Sequence, residues 1–419
     1  MGTSDLGGED RDCLRRLAAR VRHIAGQDDN RQRRERAFAL NACRLERPFV
    51  LCIPEGAWRE LVTPEDLECR DPTARLFEEQ LRKKVFQYEQ IGDDAVIEDI
   101  LDVRTVATIS DWGVPIPEHR TDALGAATWD PPITDIAADL PRLRQRCLHI
   151  DRAATDRALA MAEQAVGDLV LVREYFRGPW SVGLTSSAIA LLGLEGFLLA
   201  LYDDPDGLHR LMAWLRDDQD QLMDQMEASG LLCSLNGANS VGSGGIGYTV
   251  ELPSQDPRDA DFRRPITFRE RWGLAESQET VGVSPAMFSE FVLPYQMPLL
   301  ARFGLTCYGC CEGLEKRIDQ VLTVPRLRRV SVAPWADQAV MAEKLGRRYV
   351  YSRKPNPSLV CVDFNQDAVR RDVRSTLEQA AGCCIEFVLK DTHTVQHQRD
   401  RFARWTRIAR EEIDRCWRG

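Results

Sequence analysis

Tyr308, Cys310, Cys311 and Glu312 offer four donor groups, sulfur and oxygen, within five positions. Such a set can bind a metal ion or a polar substrate. They lie in the stretch GLTCYGCCEGLEKRID, from Gly304 to Asp319. Its apolar start, Leu305-Thr306-Cys307, reads as a short strand that breaks at Gly309 and turns into a charged helix. In chains that alternate strands and helices, chemistry collects at that junction. The competing reading makes Cys307, Cys310 and Cys311 buried space-fillers, because free cysteine is among the most buried residue types. Two adjacent cysteines flanked by Gly and Glu cannot all face one apolar core.

The elements that must position these groups are buried-type strands. They are expected at 48–53, 95–101, 168–174, 231–235, 272–276, 303–308, 327–332, 348–352 and 384–389, one more than the eight that a closed barrel needs. In the second half each is followed closely by a helix. The pattern predicts an α/β chain, a (β/α)8 TIM barrel, with an open doubly wound sheet as the rival. Ahead of the barrel (47–419), residues 1–46 read as an N-terminal helical extension of two helices joined near Gly26-Asp29. It would pack on the main body or pair two chains as a homodimer. The Pro- and Asp-rich run 111–135 reads as an insertion, over a site or as a linker. The loop Gly242–Tyr248, GSGGIGY, lacks the helix and acid of a dinucleotide site and reads as a flexible substrate-side loop. Ser284-Pro285 reads as a helix start.

A barrel would bring the residues after each strand to one face. Those are Glu276 and Glu279 after the 272–276 strand, Lys354 in Arg353-Lys354-Pro355, and Lys390 after the last strand. Paired carboxylates suit acid, base or ligand roles. The lysines suit neutralisation of a substrate carboxylate or phenolate.

Composition narrows the partners. The chain has 419 residues, 44% hydrophobic and 29% charged, with a net charge of −10. That balance, with no basic stripe, argues against nucleic acid. No run of eighteen apolar residues occurs, so no membrane span is expected. The first residues, MGTSDLGGEDRDC, lack the pattern of a signal peptide, so the expected location is cytoplasmic. The 13 cysteines then read as free thiols, some of them metal ligands.

With its strand ends laid out, the chain resembles the uroporphyrinogen decarboxylase superfamily. The likeness rests on Gly178-Pro179-Trp180, on Tyr202-Asp203-Asp204-Pro205 before a long helix, and on Val283-Ser284-Pro285 with Phe291-Val292-Leu293-Pro294-Tyr295. It spans Pro48 to Ile413. The superfamily holds a tetrapyrrole decarboxylase and cobalamin-dependent methyltransferases. The decarboxylase's Arg-Gln-Ala-Gly-Arg-Tyr signature is absent here, its place taken by Ile53-Pro54-Glu55-Gly56-Ala57-Trp58. The methyltransferase branch holds zinc with a His-x-Cys-Gly motif and a cysteine after the last strand. Here those places read Tyr308-Gly309-Cys310-Cys311 and Thr392-His393.

The resemblance implies a zinc-dependent enzyme that moves a methyl group between a small methylated compound, such as an O-methyl aromatic, and a corrinoid protein. The implied zinc ligands are Cys310, His393 and a carboxylate from Glu279 or Glu312. Tyr308 stands at the motif's histidine position, as a ligand, a gate over the site or a mark of lost function. Zinc would act as a Lewis acid, and the cobalamin would belong to the partner protein. One alternative is a metal-independent, decarboxylase-like lyase that binds carboxylates with Lys354, Lys390 and Arg173. Another is a non-catalytic binding barrel with structural thiols.

Overall fold

The computed structural model describes residues 6–121 and 127–418. Eight strands carry the architecture: β1 (Phe49–Cys52), β2 (Ile100–Arg104), β3 (Leu171–Tyr175), β4 (Trp272–Ala275), β5 (Leu305–Tyr308), β6 (Leu327–Val332), β7 (Val350–Arg353) and β8 (Cys384–Leu389). Six form one parallel sheet in the order β1-β8-β7-β6-β5-β4, and β2 pairs with β3, also in parallel. Every residue of β1, β4, β5, β7 and β8 is buried, as expected of parallel strands covered on both faces.

Among the described residues no closed sheet forms. The expected barrel is resolved as a mixed α/β fold with a six-stranded parallel sheet and a separate parallel pair. At one edge two buried aspartates take donors that a neighbouring strand would have taken. Asp94 Oδ2 accepts the Val50 N–H at 2.8 Å and Asp93 Oδ2 accepts the Cys52 N–H at 2.7 Å. At the other edge the apolar run 231–235 is not a strand. It makes one parallel bridge, Leu232 with Phe176, and Ser234 accepts the Trp272 N–H at 3.3 Å. Asn236 then turns the chain away by donating to the carbonyls of Thr249 and Leu252, at 2.9 and 2.7 Å.

Helices start where their caps predict. Ser284 accepts the Met287 N–H at 3.2 Å, with Pro285 at the first helical position, and Asp204 does the same for Gly207 ahead of Pro205–Ala228. The N-terminal helices, α1 (Gly8–Ala25) and α2 (Asp28–Asn41), are fastened to the rest of the chain. The apolar face of α1, with Leu14, Ala18 and Val21, packs in one core with Phe77, Leu81 and Val166. The 111–135 region holds an antiparallel pair, Glu118–Arg120 with Ala127–Trp129, while residues 122–126 lie outside the described set. It packs on two helices: Trp112 Nε1 donates to Asp218 and Trp129 Nε1 to the Ala190 carbonyl, each at 3.1 Å. The helix Thr185–Asp203 is long and apolar enough to cross a membrane by length and composition, a feature that a count of consecutive apolar residues does not register. It is 44% buried and kinked at Gly193.

The glycine-rich loop is the main departure from expectation. Residues 241–249 are all buried, so the loop is packed and not free. Ser240–Val241 and Gly245–Ile246 pair as a small hairpin pressed into the strands. A Cβ on Gly242 would stand 2.8 Å from Cys307 Sγ of β5, and one on Gly244 2.9 Å from Val388 Cγ1 of β8. Trp272 Nε1 of β4 donates to the Gly247 carbonyl at 2.9 Å, and Asn41 Nδ2 of α2 to those of Ile246 and Tyr248. The glycines are there because strand side chains already occupy the space that larger residues would need.

Candidate active site

Where β5 ends, Gly309 adopts φ 90°, and a Cβ there would lie 2.7 Å from Leu314 Cδ1. This turn sets Cys310 facing the hairpin and β8. Its Sγ accepts from Ser243 Oγ at 3.2 Å, lies 3.5 Å from Cys311 Sγ, and accepts from Lys390 Nζ at 3.7 Å. The hydrogen bond from Cys311, the Lys390 charge and the Ser243 hydroxyl outweigh burial and hold the Cys310 thiol below its ordinary range. Cys311 moves up in turn, held protonated by its bond to Cys310 and by burial. Cys310 is therefore the thiolate of the pair and Cys311 the thiol.

Lys390 follows β8. Burial opposes its charge, but the Cys310 thiolate, Asp391 and Glu55 prevail and raise its pKa. Its Nζ donates to Asp391 Oδ1 at 2.7 Å and lies 3.9 Å from Glu55 Oε1. Glu55, from the segment after β1, accepts the Asp391 N–H at 2.8 Å, and burial pushes its carboxyl up. Asp391 Oδ2 lies 3.3 Å from Cys311 Sγ, an alternative acceptor for the one proton that Cys311 shares with Cys310.

Three carboxylates stand on the β4 and β5 side. Both oxygens of Glu312 are committed to backbone, accepting the Ser277 N–H at 3.0 Å and the Cys310 N–H at 2.8 Å. It fastens the turn after β4 to the turn after β5. Glu276 is buried, and its carboxyl is pushed up to about 8 by burial first, then by the charges of Glu279, Glu312 and Cys310. It therefore carries a proton at neutral pH. Glu279 Oε2 accepts from Thr185 Oγ1 at 2.7 Å.

Tyr308 lies inside the core and not beside the thiols. Its hydroxyl donates to Gln296 Oε1 at 2.7 Å and meets Ser277 Oγ at 3.2 Å, and burial raises its pKa. Lys354, after β7, is buried, and its pKa is lowered to about 8 by burial with help from Lys390 and Arg329. Its Nζ donates to Ser352 Oγ at 2.6 Å, and Ser352 donates onward to Glu386. Glu386 is also the partner of buried Arg329, at 2.7 Å. His393 is exposed, its carbonyl held by Arg59 Nη2 at 2.9 Å and its ring beside Gly56.

The structure thus brings together Cys310, Lys390 and Glu312, with Glu276 and Lys354 close enough to exchange charge effects. It does not bring Cys310, His393, Glu312 and Glu279 to a common point. Among the described residues, the group of three or more Cys, His, Asp or Glu donors within 4.8 Å of one another is Cys13, Cys69 and Glu78. That group is internally satisfied, with Glu78 accepting the Glu68 and Cys69 N–H groups and Arg82 Nε. The zinc donors expected from the resemblance do not fit a tetrahedral set: one carboxylate is saturated by N–H groups, the histidine is exposed, and an ammonium stands beside the thiolate. Ser243, Glu55 and Asp391 were not singled out as site residues in the sequence. Ser243 was hidden in a segment that reads as loop. Glu55 and Asp391 follow the first and last strands, the one positional signal that could have found them.

No family model matches the chain, and no curated protein matches it. Among solved structures it is similar to a methyltransferase from Methanosarcina mazei. That likeness covers 91% of this chain and 98% of the other, with a TM-score of 0.51 and 12% sequence identity. It shows a shared fold.

Proposed function

We propose that this chain is a methyltransferase of the uroporphyrinogen decarboxylase superfamily, acting on a small methylated compound with Cys310 as its reactive group. The observation that carries the reading is the Cys310 thiolate, held at the carboxyl end of β5 between the Lys390 ammonium and the Ser243 hydroxyl. The fold shared with a methyltransferase along nearly the whole chain supports it. The two parallel sheets would then be arcs of one (β/α)8 barrel, a reading supported by the bonds that Val50 and Trp272 make with Asp94 and Ser234, which lie outside both sheets. The location proposed is cytoplasmic, which suits 13 free thiols.

The chemistry asks for a nucleophile and a proton for the leaving group. Cys310 supplies the first as a thiolate that attacks the methyl carbon. Glu276, protonated at neutral pH, supplies the second. The carbon–oxygen bond of a methoxy donor breaks, a sulfur–carbon bond forms, and the alkoxide or phenolate leaves as the alcohol. Lys390 and Ser243 stabilise the thiolate before attack. No step is routed through a metal. A corrinoid protein is the proposed final acceptor. Trp180, Val281, Trp335 and Val362 follow β3, β4, β6 and β7 as exposed apolar side chains, and they suit a docking rim for it.

The lyase reading is weaker here. Arg173 is buried against Asp102 at 2.7 Å, and Lys390 is bound to Asp391 and Cys310, so two of its three carboxylate-binding groups are already paired. The test is metal analysis of the purified protein, followed by incubation with methoxy aromatics, with and without a corrinoid protein. Methyl adducts on the peptide carrying Cys310, lost in Cys310→Ala, are the expected result. One zinc per chain that disappears in both Cys310→Ala and His393→Ala would overturn the metal-free mechanism. Carbon dioxide release from carboxylated substrates without methyl transfer would favour the lyase.

A further inference from the structure

We propose that Cys310 and Cys311 form a vicinal two-thiol site that captures a trivalent organoarsenical, a thiophilic electrophile carrying one carbon substituent. The inference goes beyond methyl transfer and does not depend on it, since capture requires two sulfurs and no methyl donor.

Sequence adjacency alone does not make such a site, as a second adjacent pair in the same chain shows. Cys383 and Cys384 send their thiols apart, to the carbonyls of Ala342 and Leu40. The turn at Gly309 instead leaves the sulfurs of Cys310 and Cys311 3.5 Å apart and on one side. Cys310 is buried, while Cys311 is partly exposed and gives the pair its opening.

A disulfide is a poor resting state for this pair. Consecutive Cα atoms across a trans peptide are about 3.8 Å apart. Unstrained disulfides span roughly 4.4–6.8 Å, and strained ones are easily reduced. A tetrahedral metal is also poorly served, because among the described residues no third Cys, His, Asp or Glu donor completes a group with this pair. Soft thiolates favour soft centres. Trivalent arsenic with one organic substituent needs two sulfurs and no more, its third bond being to carbon.

The neighbours suit the substitution. Cys310 Sγ accepts from Lys390 and Ser243, and Asp391 Oδ2 stands 3.3 Å from Cys311 Sγ, where it can take the thiol proton once Cys310 is bonded to arsenic. Starting from the dihydroxy form of the arsenical, Cys310 displaces one hydroxide. The Cys311 sulfur then displaces the second hydroxyl, which leaves as water with the thiol proton, relayed through Asp391. Two arsenic–oxygen bonds break, two arsenic–sulfur bonds form, and arsenic stays trivalent.

Phenylarsine oxide is the probe. After a wash with a monothiol, intact mass and peptide mapping should show one arsenic per chain, on the peptide that holds Cys310 and Cys311, removable by a dithiol. Cys311→Ser, checked for folding by circular dichroism, should weaken retention by on the order of a hundredfold, the loss expected when a second, intramolecular contact is removed. Cys383→Ser should retain arsenic as the unmodified chain does. Equal retention in Cys311→Ser, or arsenic mapped to another peptide in the unmodified chain, would overturn the proposal. The mapping needs no variant, so a misfolded Cys311→Ser leaves the proposal open to refutation. A protein that captures arsenic but transfers no methyl group would refute only the methyltransferase reading.

Discussion

Ser243 Oγ lies 3.2 Å from Cys310 Sγ, although the two residues are 67 positions apart and belong to a glycine hairpin and a strand end. A hydroxyl donor at that distance favours thiolate over thiol. Ser243→Ala removes it. Hydrogen bonds to charged groups are worth about 1.5–3 kcal/mol, which corresponds to roughly one to two pKa units. The pH midpoint for alkylation of Cys310 by iodoacetamide should rise by about that amount. An unchanged midpoint would mean that the hydroxyl does not act on the sulfur.

Two opposite shifts set a pH window. The Cys310 thiol is lowered to about 6 and the Glu276 carboxyl raised to about 8. A reaction that needs the thiolate of the first and the proton of the second should follow a bell-shaped profile between those values. Glu276→Gln should flatten the alkaline limb and leave the acid limb in place. A profile without an alkaline limb in the unmodified chain would remove Glu276 from the mechanism.

The same groups make stability depend on pH. A thiol lowered on folding contributes stability present above its unfolded pKa and lost as pH falls through about 6. A carboxyl raised on folding acts the other way: its penalty begins as pH rises past the unfolded carboxylate value and is complete above about 8. Glu276→Gln should therefore raise the urea midpoint at pH 9 relative to the unmodified chain and change it least below pH 4. Equal changes at both pH values would contradict the burial of an ionising carboxyl.

Arg329 and Glu386 are a buried ion pair, 2.7 Å apart and almost without solvent exposure. Removing one partner of such a pair typically costs about 3–5 kcal/mol, because the other charge is stranded. Glu386→Leu should lower stability by that order in urea denaturation, and should also leave Ser352, which accepts from Lys354, without its own acceptor. A loss below about 1 kcal/mol would indicate solvent access that the structure does not show.

Gly245 faces the Arg329 guanidinium so closely that a Cβ would lie 2.4 Å from its Cζ. Gly245→Val should destabilise the protein by about 1–3 kcal/mol, the usual cost of overpacking. It should also speed alkylation of Cys310 if the hairpin shifts. Thermal unfolding and alkylation rates measured together distinguish this from a surface loop, where neither would change.

Seven of the nine expected strands are present at or within a few residues of their expected places, and the reason is physical. Strands buried on both faces read as short apolar runs, as Phe49–Cys52 and Cys384–Leu389 do. The 95–101 expectation moved to Ile100–Arg104, because Asp93 and Asp94 use their side chains where a ladder would begin. The 231–235 run failed as a strand although it is apolar, since its partner contact ends at Leu232. In the candidate site, Cys310 and Lys390 were legible as strand-end residues. The inward turn of Tyr308 was not, because it depends on Gln296 from a helix whose packing no local pattern encodes. The glycine hairpin misled for a related reason: glycines permit flexibility and close packing alike, and only the neighbours decide which.

The hairpin has a consequence for how the molecule is made. Gly244 sits against Ile53 and Val388, residues far from it in sequence on either side, so the hairpin is clasped between early and late strands. Contacts of such long sequence separation form late, after a large loop-closure cost. A nascent chain stalled on the ribosome before β8 would leave the glycine segment without Val388 and Cys310 without the Lys390 ammonium. Docking of β8 therefore adds the Lys390 ammonium to the hydrogen bonds that Cys311 and Ser243 already give Cys310, so the thiolate is fully supported only once that strand is in place.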